Sequence, residues 1–311
     1  MEYLLLALAT LASSGKALVL KKLGRDSQAS TQIYRLNSAI FIIAAAVVGV
    51  FALISGRWLV PSGFTLLLSL IFASLLLFTQ VTETVAMKHG SASMTILVYS
   101  LGLLLPIFYG RIFLSERISA WQVVGMLLIV AALYFIVGPK RDGHFGPLWL
   151  PLALLACFGS GATAIVQKIQ QNSDVREELM PFLVVAFTIA SLISLALSFI
   201  PGKPEEKTDD ERDSEREDAE TRGFASPEWK KTVFANLRFA LFSGFCVGAL
   251  NILNLILAGK LPSVVQFPIY NIGGMILTGI GGRLIFGEKL TRMQAVGFAV
   301  GCCAILIIGL T

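Results

Sequence analysis

"LSERISAWQVVGMLLIVAA" at residues 114–132 and "FGEKLTRMQAVGFAVGCCA" at residues 286–304 align without a gap at an offset of 172 residues. The alignment brings identical residues together at five positions, among them Glu116 with Glu288, Gln122 with Gln294 and Gly125 with Gly297. An internal similarity of this kind indicates that the chain contains the same structural unit twice.

The beginnings of the two units also align. "SSGKALVLKKL" (13–23) and "GSGATAIVQKI" (159–169) match at an offset of 146, which pairs Gly15 with Gly161 and Lys22 with Lys168. The two offsets differ by 26 residues, so the second unit carries an insertion of that length. The insertion falls on the charged stretch 203–223, "KPEEKTDDERDSEREDAETRG". This stretch has too few apolar residues to form a core and is predicted to be disordered.

The composition is that of an integral membrane protein. Of the 311 residues, 55% are hydrophobic and only 14% are charged, and the mean hydropathy is +0.76. Apolar runs of about 20 residues, the length that crosses a bilayer as a helix, recur along the chain. They predict ten transmembrane helices, at 2–22, 31–54, 64–87, 91–114, 118–138, 147–170, 179–200, 234–258, 263–286 and 291–310. Continuous runs of this length exclude a barrel and favour an all-α fold.

The repeat predicts an inverted arrangement. Each unit holds five helices, at 1–140 and 141–311, and the second contains the charged loop at about 201–232. Because five is odd, the second unit enters the membrane from the opposite side. Two such repeats are related by a pseudo-twofold axis in the membrane plane, which supports alternating access to a site near the midplane.

Among the charged residues of the predicted helices, two stand out, Lys16 and Glu83. A charge in the bilayer is costly, so such residues commonly belong to a pathway or to an ion pair. Helices 1 and 3 run in the same direction and place the two residues at similar depth, which allows a contact between them. Glu83 is then the candidate for proton coupling. The alternative is that both side chains extend to the membrane interface, Lys16 along its flexible stem.

The repeat also relates polar residues within apolar surroundings. Thr79 corresponds to Asn251, and Tyr99 corresponds to Asn271. These four residues are candidates for substrate binding in a cavity between the repeats. The alternative is that their side chains join neighbouring helices by hydrogen bonds. Weaker candidates of the same kind are Gln80, Asn254, Gln266 and Tyr270.

Glycine and proline mark candidate hinges at Gly15, Gly161, Pro106 and Pro268. A proline inside a helix removes one backbone hydrogen bond and can bend the helix. The glycines allow either bending or close helix contact. Glu116 and Glu288, by contrast, precede the fifth helix of each repeat, where a carboxylate favours the positive end of the following helix.

No catalytic arrangement is found in the sequence. A glycine-rich loop for ATP is absent, as is a cluster of metal-ligating residues, and the four cysteines lie inside predicted helices. We therefore expect no enzymatic activity, no cofactor and no metal. The net charge of +5 is spread over the loops and gives no indication of nucleic-acid binding.

The two copies "ERISAWQVVGMLLIVAALYFI" (116–136) and "EKLTRMQAVGFAVGCCAILII" (288–308), together with "AMKHGSAS" (86–93), resemble the EamA-type repeat of the drug/metabolite transporter superfamily. The resemblance implies a ten-helix bundle with a central cavity lined by helices 1, 3, 4, 6, 8 and 9. It also implies that helices 5 and 10 are peripheral. Members of the superfamily carry amino acids, nucleotide sugars, phosphorylated sugars, amines or drugs.

We therefore expect a secondary transporter that moves a small polar metabolite or drug-like compound through the lipid bilayer, in the inner membrane of a prokaryote. Lys16 favours a carboxylate or phosphate on the substrate if its charge is not already neutralised by Glu83. The alternative is a membrane scaffold or sensor that binds a partner through the acidic stretch 203–223. The basic residues of the short connections divide ten to six, which favours both termini outside. The resemblance implies the reverse, so the sidedness stays open, as does a homodimer.

Overall fold

The computed structural model describes residues 2–23, 30–56, 59–89, 95, 98–137, 147–199, 227–286 and 291–310, and all regular structure in these ranges is helical. Two 3₁₀ turns, Leu101–Leu103 and Arg176–Glu178, precede α4 and α7. The α-helices in these ranges are α1 (Glu2–Leu23), α2 (Ser30–Ile54), α3 (Gly63–His89), α4 (Leu104–Phe113), α5 (Ala120–Val137), α6 (Trp149–Gln171), α7 (Leu179–Leu197), α8 (Pro227–Ala258), α9 (Ser263–Phe286) and α10 (Arg292–Leu310).

Two helix boundaries differ from the prediction. The helix expected at 91–114 is interrupted by the 3₁₀ turn Leu101–Leu103, and α4 begins only at Leu104. Pro106 has no N–H for the carbonyl of Gly102, which is consistent with the change in helix type there. Helix α8 begins at Pro227 and thus includes the end of the predicted loop 201–232. Proline is favoured at the first position of a helix.

The helices identify an integral multi-pass membrane protein. Six are long and apolar enough to cross a bilayer, within Tyr34–Ile54, Gly63–Glu83, Trp149–Gln171, Arg176–Leu197, Ala240–Ala258 and Ser263–Gly281. Four shorter apolar helical stretches are Glu2–Gly15, Val98–Phe113, Ala120–Phe135 and Arg292–Ile308. Large apolar side chains cover the outside of the bundle, for example Leu127 of α5, which is 66% exposed. Such a surface is expected where a protein contacts lipid.

Two large hydrophobic cores organise the described part of the bundle, beside a smaller cluster between α1 and the end of α8. The first core is formed by α2, α3, α7 and α8 with Val166 of α6, and it contains the aromatic pair Phe72–Phe182 with ring centroids 5.3 Å apart. The second core is formed by α4, α5, α9 and α10. Helix α6 packs mainly against α3 of the first core and also against α4, while α1 packs against α8 and α9. Helices α1 and α6 thus connect the two cores.

The contact between α6 and α4 depends on glycine. A Cβ atom on Gly161 would lie 2.5 Å from Leu105 Cδ1 and 2.6 Å from the carbonyl oxygen of Gly102. These distances are too short for any larger residue, so Gly161 is required by close packing. At Gly15 the nearest atom to an added Cβ would be Cys246 Sγ at 3.5 Å, an ordinary contact. Close packing therefore explains Gly161 but not Gly15.

Candidate functional site

The two charged residues singled out in the sequence lie on α1 and α3. Lys16 is on α1, and its side chain lies outside the described part of the structure. Glu83 is on α3 and is partly buried, and its carboxylate is close enough to the hydroxyl of Tyr99 to interact with it electrostatically. A contact between Lys16 and Glu83 therefore stays a prediction.

Glu83 belongs to a group of polar residues in the interior, which we call the central polar set: Glu83, Tyr99, Asn254, Gln266 and Tyr270. Tyr99 also interacts electrostatically with Tyr270 of α9. The Tyr270 hydroxyl is in hydrogen-bonding reach of the side chains of Ser13 on α1 and Asn254 on α8. Both tyrosines lie deep in the bundle and yet are partly accessible to solvent. The set thus joins residues of both halves in the interior of the bundle.

Three other candidates bond chiefly within their own helices. Thr79, Asn251 and Asn271 each donate to the backbone carbonyl four residues earlier, at 2.6, 2.9 and 3.0 Å. Asn251 also accepts a hydrogen bond from Gln167 Nε2 of α6, at 3.1 Å. These contacts match the alternative given above, in which polar side chains stabilise helices and join them.

Two members of the central polar set have an unpaired acceptor. Gln266 Nε2 donates to the backbone carbonyl of Asn254 at 2.8 Å, which joins α9 to α8. Gln266 Oε1 and Asn254 Oδ1 are buried, and neither has a hydrogen-bond partner in the described part of the chain. Gln266 is completely buried and Asn254 is 7% exposed. Most buried polar atoms in proteins are paired, so two unpaired acceptors on residues that contact each other require an explanation.

A buried ion pair lies near one end of the bundle. Lys168 Nζ of α6 lies 2.9 Å from Glu116 Oε1, and the Lys168 side chain is only 2% exposed. The ammonium group also donates to the backbone carbonyl of Leu261, at 2.7 Å. Leu261 belongs to the short connection between α8 and α9. The pair therefore links α6 to the end of the second core.

The other oxygen of Glu116 completes this contact. Glu116 Oε2 accepts a hydrogen bond from the backbone N–H of Ser263, the first residue of α9, at 2.7 Å. A Cβ atom on Gly110 would lie 2.7 Å from Glu116 Cδ and 2.8 Å from Ser263 Oγ, so only glycine fits beneath the carboxylate. We call this arrangement of Glu116, Lys168, Leu261 and Ser263 the latch.

The latch corrects the role expected for Glu116. The carboxylate was expected at the positive end of α5, the helix that follows it, but it lies at the N-terminus of α9 instead. The N-terminus of α5 is capped by Ser119 and Gln122, which exchange two backbone-to-side-chain hydrogen bonds. Thr291 and Gln294 cap α10 in the same way. Glu288 lies outside the described residues.

A second carboxylate at the same end of the bundle makes a different connection. Glu178 Oε2, just before α7, accepts hydrogen bonds from the backbone N–H and the hydroxyl of Ser62, at 2.8 and 3.0 Å. Ser62 immediately precedes α3. Because α3 and α7 both belong to the first core, this contact lies within one core, whereas the latch connects α6 to the other.

The latch was missed from the sequence, although the repeat contained a signal for it. Glu116 aligns with Glu288, and Lys168 aligns with Lys22, so both charged residues occur in both copies. A lysine near the end of a membrane helix suggests an interfacial side chain rather than a buried ion pair. The partner could not be identified because Glu116 and Lys168 are 52 residues apart in the chain.

Both halves of the chain match the same protein family. The model of the EamA-like transporter family matches residues 1–138 and again residues 147–310. No curated protein sequence matches the chain significantly. Among solved structures 28 chains match. One, titled "Crystal structure of protein", has a TM-score of 0.71 at 17% identity, over 99% of this chain and 96% of its own. At that identity the similarity concerns the fold alone.

Proposed function

Since this chain belongs to the EamA-like transporter family, we propose that it is a secondary transporter that moves a small polar metabolite or drug-like compound by alternating access. In this proposal the ten helices form two five-helix repeats of opposite orientation, 1–140 and 141–311. The substrate binds near the middle of the membrane, between the repeats.

The central polar set is the observation that best supports this proposal. Its members come from α3, the segment before α4, α8 and α9, and the two tyrosines are partly accessible in the interior of an apolar bundle. Binding sites for small molecules combine apolar walls with a few convergent polar groups. Polar groups inside a membrane protein are costly, which favours a function for them.

The latch supports the alternating-access part of the proposal. An alternating-access transporter closes one side of its site while the other side is open. The latch is largely buried and connects α6 to the second core near one end of the bundle. We propose that it holds this end closed. In the proposed cycle it breaks when that end opens.

Transport by the purified protein in proteoliposomes tests the proposal. Vesicles are preloaded with a pool of amino acids, organic acids, sugar phosphates, nucleotide sugars and amines, and uptake of each labelled compound from outside is measured. We expect saturable counterflow for one class, and a change in its affinity in Lys16→Gln if Lys16 contacts the substrate. A folded protein without counterflow for any class would contradict transport and favour the scaffold alternative.

A further inference from the structure

We infer that Asn254 and Gln266 form the acceptor side of a binding site for a protonated amine. The inference rests on the proposed transport function, because it names the chemical class of the transported compound. Its basis is the pair of unpaired carbonyl oxygens, Gln266 Oε1 and Asn254 Oδ1, at the contact between α8 and α9.

The orientation of the Gln266 amide is fixed. Its Nε2 donates to the carbonyl oxygen of Asn254 at 2.8 Å. A carbonyl oxygen only accepts, so rotating the amide by half a turn would place two acceptors against each other. Gln266 Oε1 therefore faces away from this contact, and it has no donor among the described residues.

The repeat shows that the fold itself does not require a polar side chain at the positions of Gln266 and Tyr270. At the offset of 172, Gln266 aligns with Met94 and Tyr270 aligns with Val98, while Asn254 aligns with the smaller Thr82. The first copy of the repeat thus has apolar residues where the second has an amide and a phenol. Polar residues that are costly to bury and unnecessary for the fold are expected to serve binding.

The chemistry of the site selects a donor. The unpaired atoms are both acceptors, and the hydroxyl of Tyr270 is in hydrogen-bonding reach of Asn254. An ammonium group has three N–H donors and no acceptor, so it can satisfy both carbonyl oxygens and one further acceptor. A carboxylate or phosphate has only acceptors and would leave both oxygens unpaired. The inferred class therefore differs from the anion that Lys16 suggested.

The latch explains why this site is closed in the structure. Gln266 is one helical turn, about 4.5 Å, farther along α9 than Ser263 of the latch. Neither carbonyl oxygen contacts solvent while the latch is closed. An amine reaches them when the latch opens, and by binding there it favours the open state.

Thermal stability of the purified protein tests the site with matched compounds. The probes are butylamine, butanol and butyrate, and likewise phenethylamine, phenethyl alcohol and phenylacetate. The variants are Gln266→Met and Asn254→Leu, which replace each amide by an apolar side chain of similar size. The control is Ser243→Ala, because Ser243 Oγ is also buried and unpaired but lies about 16 Å away along α8.

Ser243→Ala removes a buried hydroxyl that has no partner among the described residues and should raise the melting temperature without ligand by about 2 °C. Gln266→Met also removes the hydrogen bond to the Asn254 carbonyl, and Asn254→Leu removes the contact with Tyr270, so we expect little net change of the melting temperature in these two variants. We expect only the amines to stabilise the wild-type protein and Ser243→Ala. That stabilisation should be lost in Gln266→Met and in Asn254→Leu. Loss of amine binding at a nearly unchanged melting temperature without ligand is not expected of a purely structural residue.

Three results would overturn the inference: no amine stabilises the wild type, the alcohol or carboxylate does so equally, or the effect persists in Gln266→Met and Asn254→Leu. Should Gln266→Met fail to fold, Asn254→Leu decides alone. Uptake into proteoliposomes separates this inference from the transport proposal. If an amine binds through Gln266 but is never transported, only the transport proposal is contradicted. If a compound of another class is taken up, and its uptake is unchanged in Gln266→Met, only the amine site is contradicted.

Discussion

Ser115 illustrates how a single backbone conformation supports the latch. Its φ of 54° lies in the left-handed region, where it is the only non-glycine residue in the described part of the chain. This conformation turns the chain after α4 and directs Glu116 toward α9, and the N–H of Glu116 donates to the carbonyl of Gly110 at 3.0 Å. The second copy of the repeat has Gly287 at the corresponding position. Glycine adopts such a conformation without steric cost.

We expect Ser115→Gly to stabilise the protein by up to about 1 kcal/mol and Ser115→Val to destabilise it by about 1–2 kcal/mol, because a β-branched residue is poorly tolerated in this conformation. Thermal unfolding in detergent measures both changes. The opposite change, from glycine to serine, can be tested at Gly56, which has a φ of 63° and open space around it. Gly56→Ser should therefore destabilise the protein through its backbone conformation alone. A gain in stability from Ser115→Val would contradict this account.

Glu83 permits a test of proton coupling at the scale of one residue. Its carboxylate interacts with Tyr99 in the interior, where a change of protonation alters the charge next to the proposed site. We expect Glu83→Gln to keep exchange of substrate between the two sides but to lose the acceleration of net uptake by an imposed pH gradient. Uptake by proteoliposomes with and without the gradient measures this. An unchanged response to the gradient in Glu83→Gln would exclude Glu83 as the coupling residue.

At the scale of the helices, the latch and the contact of Glu178 form a natural pair for comparison. Both place a carboxylate at the N-terminus of a helix, where the free N–H groups favour negative charge. The latch joins α6 to the second core, whereas Glu178 joins α7 to α3 inside the first core. If the cores move relative to each other, the first contact must break and the second can persist.

We expect Glu116→Gln and Lys168→Met to open the latch end, and Glu178→Gln to leave it closed. Removing one partner of a buried ion pair costs about 3 kcal/mol or more, which is sufficient to change the populations of two states by over tenfold. The measurement is the rate at which a membrane-impermeant maleimide labels Asn254→Cys, in a protein whose four native cysteines are replaced by serine. Equal acceleration by Glu178→Gln would indicate general loosening rather than opening of a latch.

The helices show what the sequence can and cannot predict. The apolar runs located helices such as α3 and α9 because a membrane imposes one length on every span. The 3₁₀ turn before α4 was not predicted, although Pro106 was recognised. The sequence predicted the wrong helix N-terminus for Glu116. The backbone N–H that it binds belongs to a residue 147 positions away in the chain. Contacts of this kind depend on how the two halves pack, which a single sequence does not state.

At the scale of the whole molecule, the duplication distinguishes polar residues that occur in both copies of the repeat from those that occur in only one. Gln122 and Gln294 cap the last helix of each copy in the same way, as expected for a structural role. Gln266 has no polar counterpart in the first copy, as expected for a specialised role. Comparing the two copies thus separates residues that the fold needs from residues that a ligand needs.

The charged stretch 203–223 is the remaining difference between the copies, and it lies outside the described residues. A transporter whose site is in the bundle does not need it, whereas a scaffold that binds a partner through acidic residues does. We expect deletion of 203–223 to leave the melting temperature and the counterflow rate of the purified protein within about twofold of the wild type, since a charged segment of this kind buries little apolar surface. Counterflow lost at unchanged melting temperature would show that the stretch takes part in transport. Loss of a bound partner with counterflow intact would instead assign it a separate binding role.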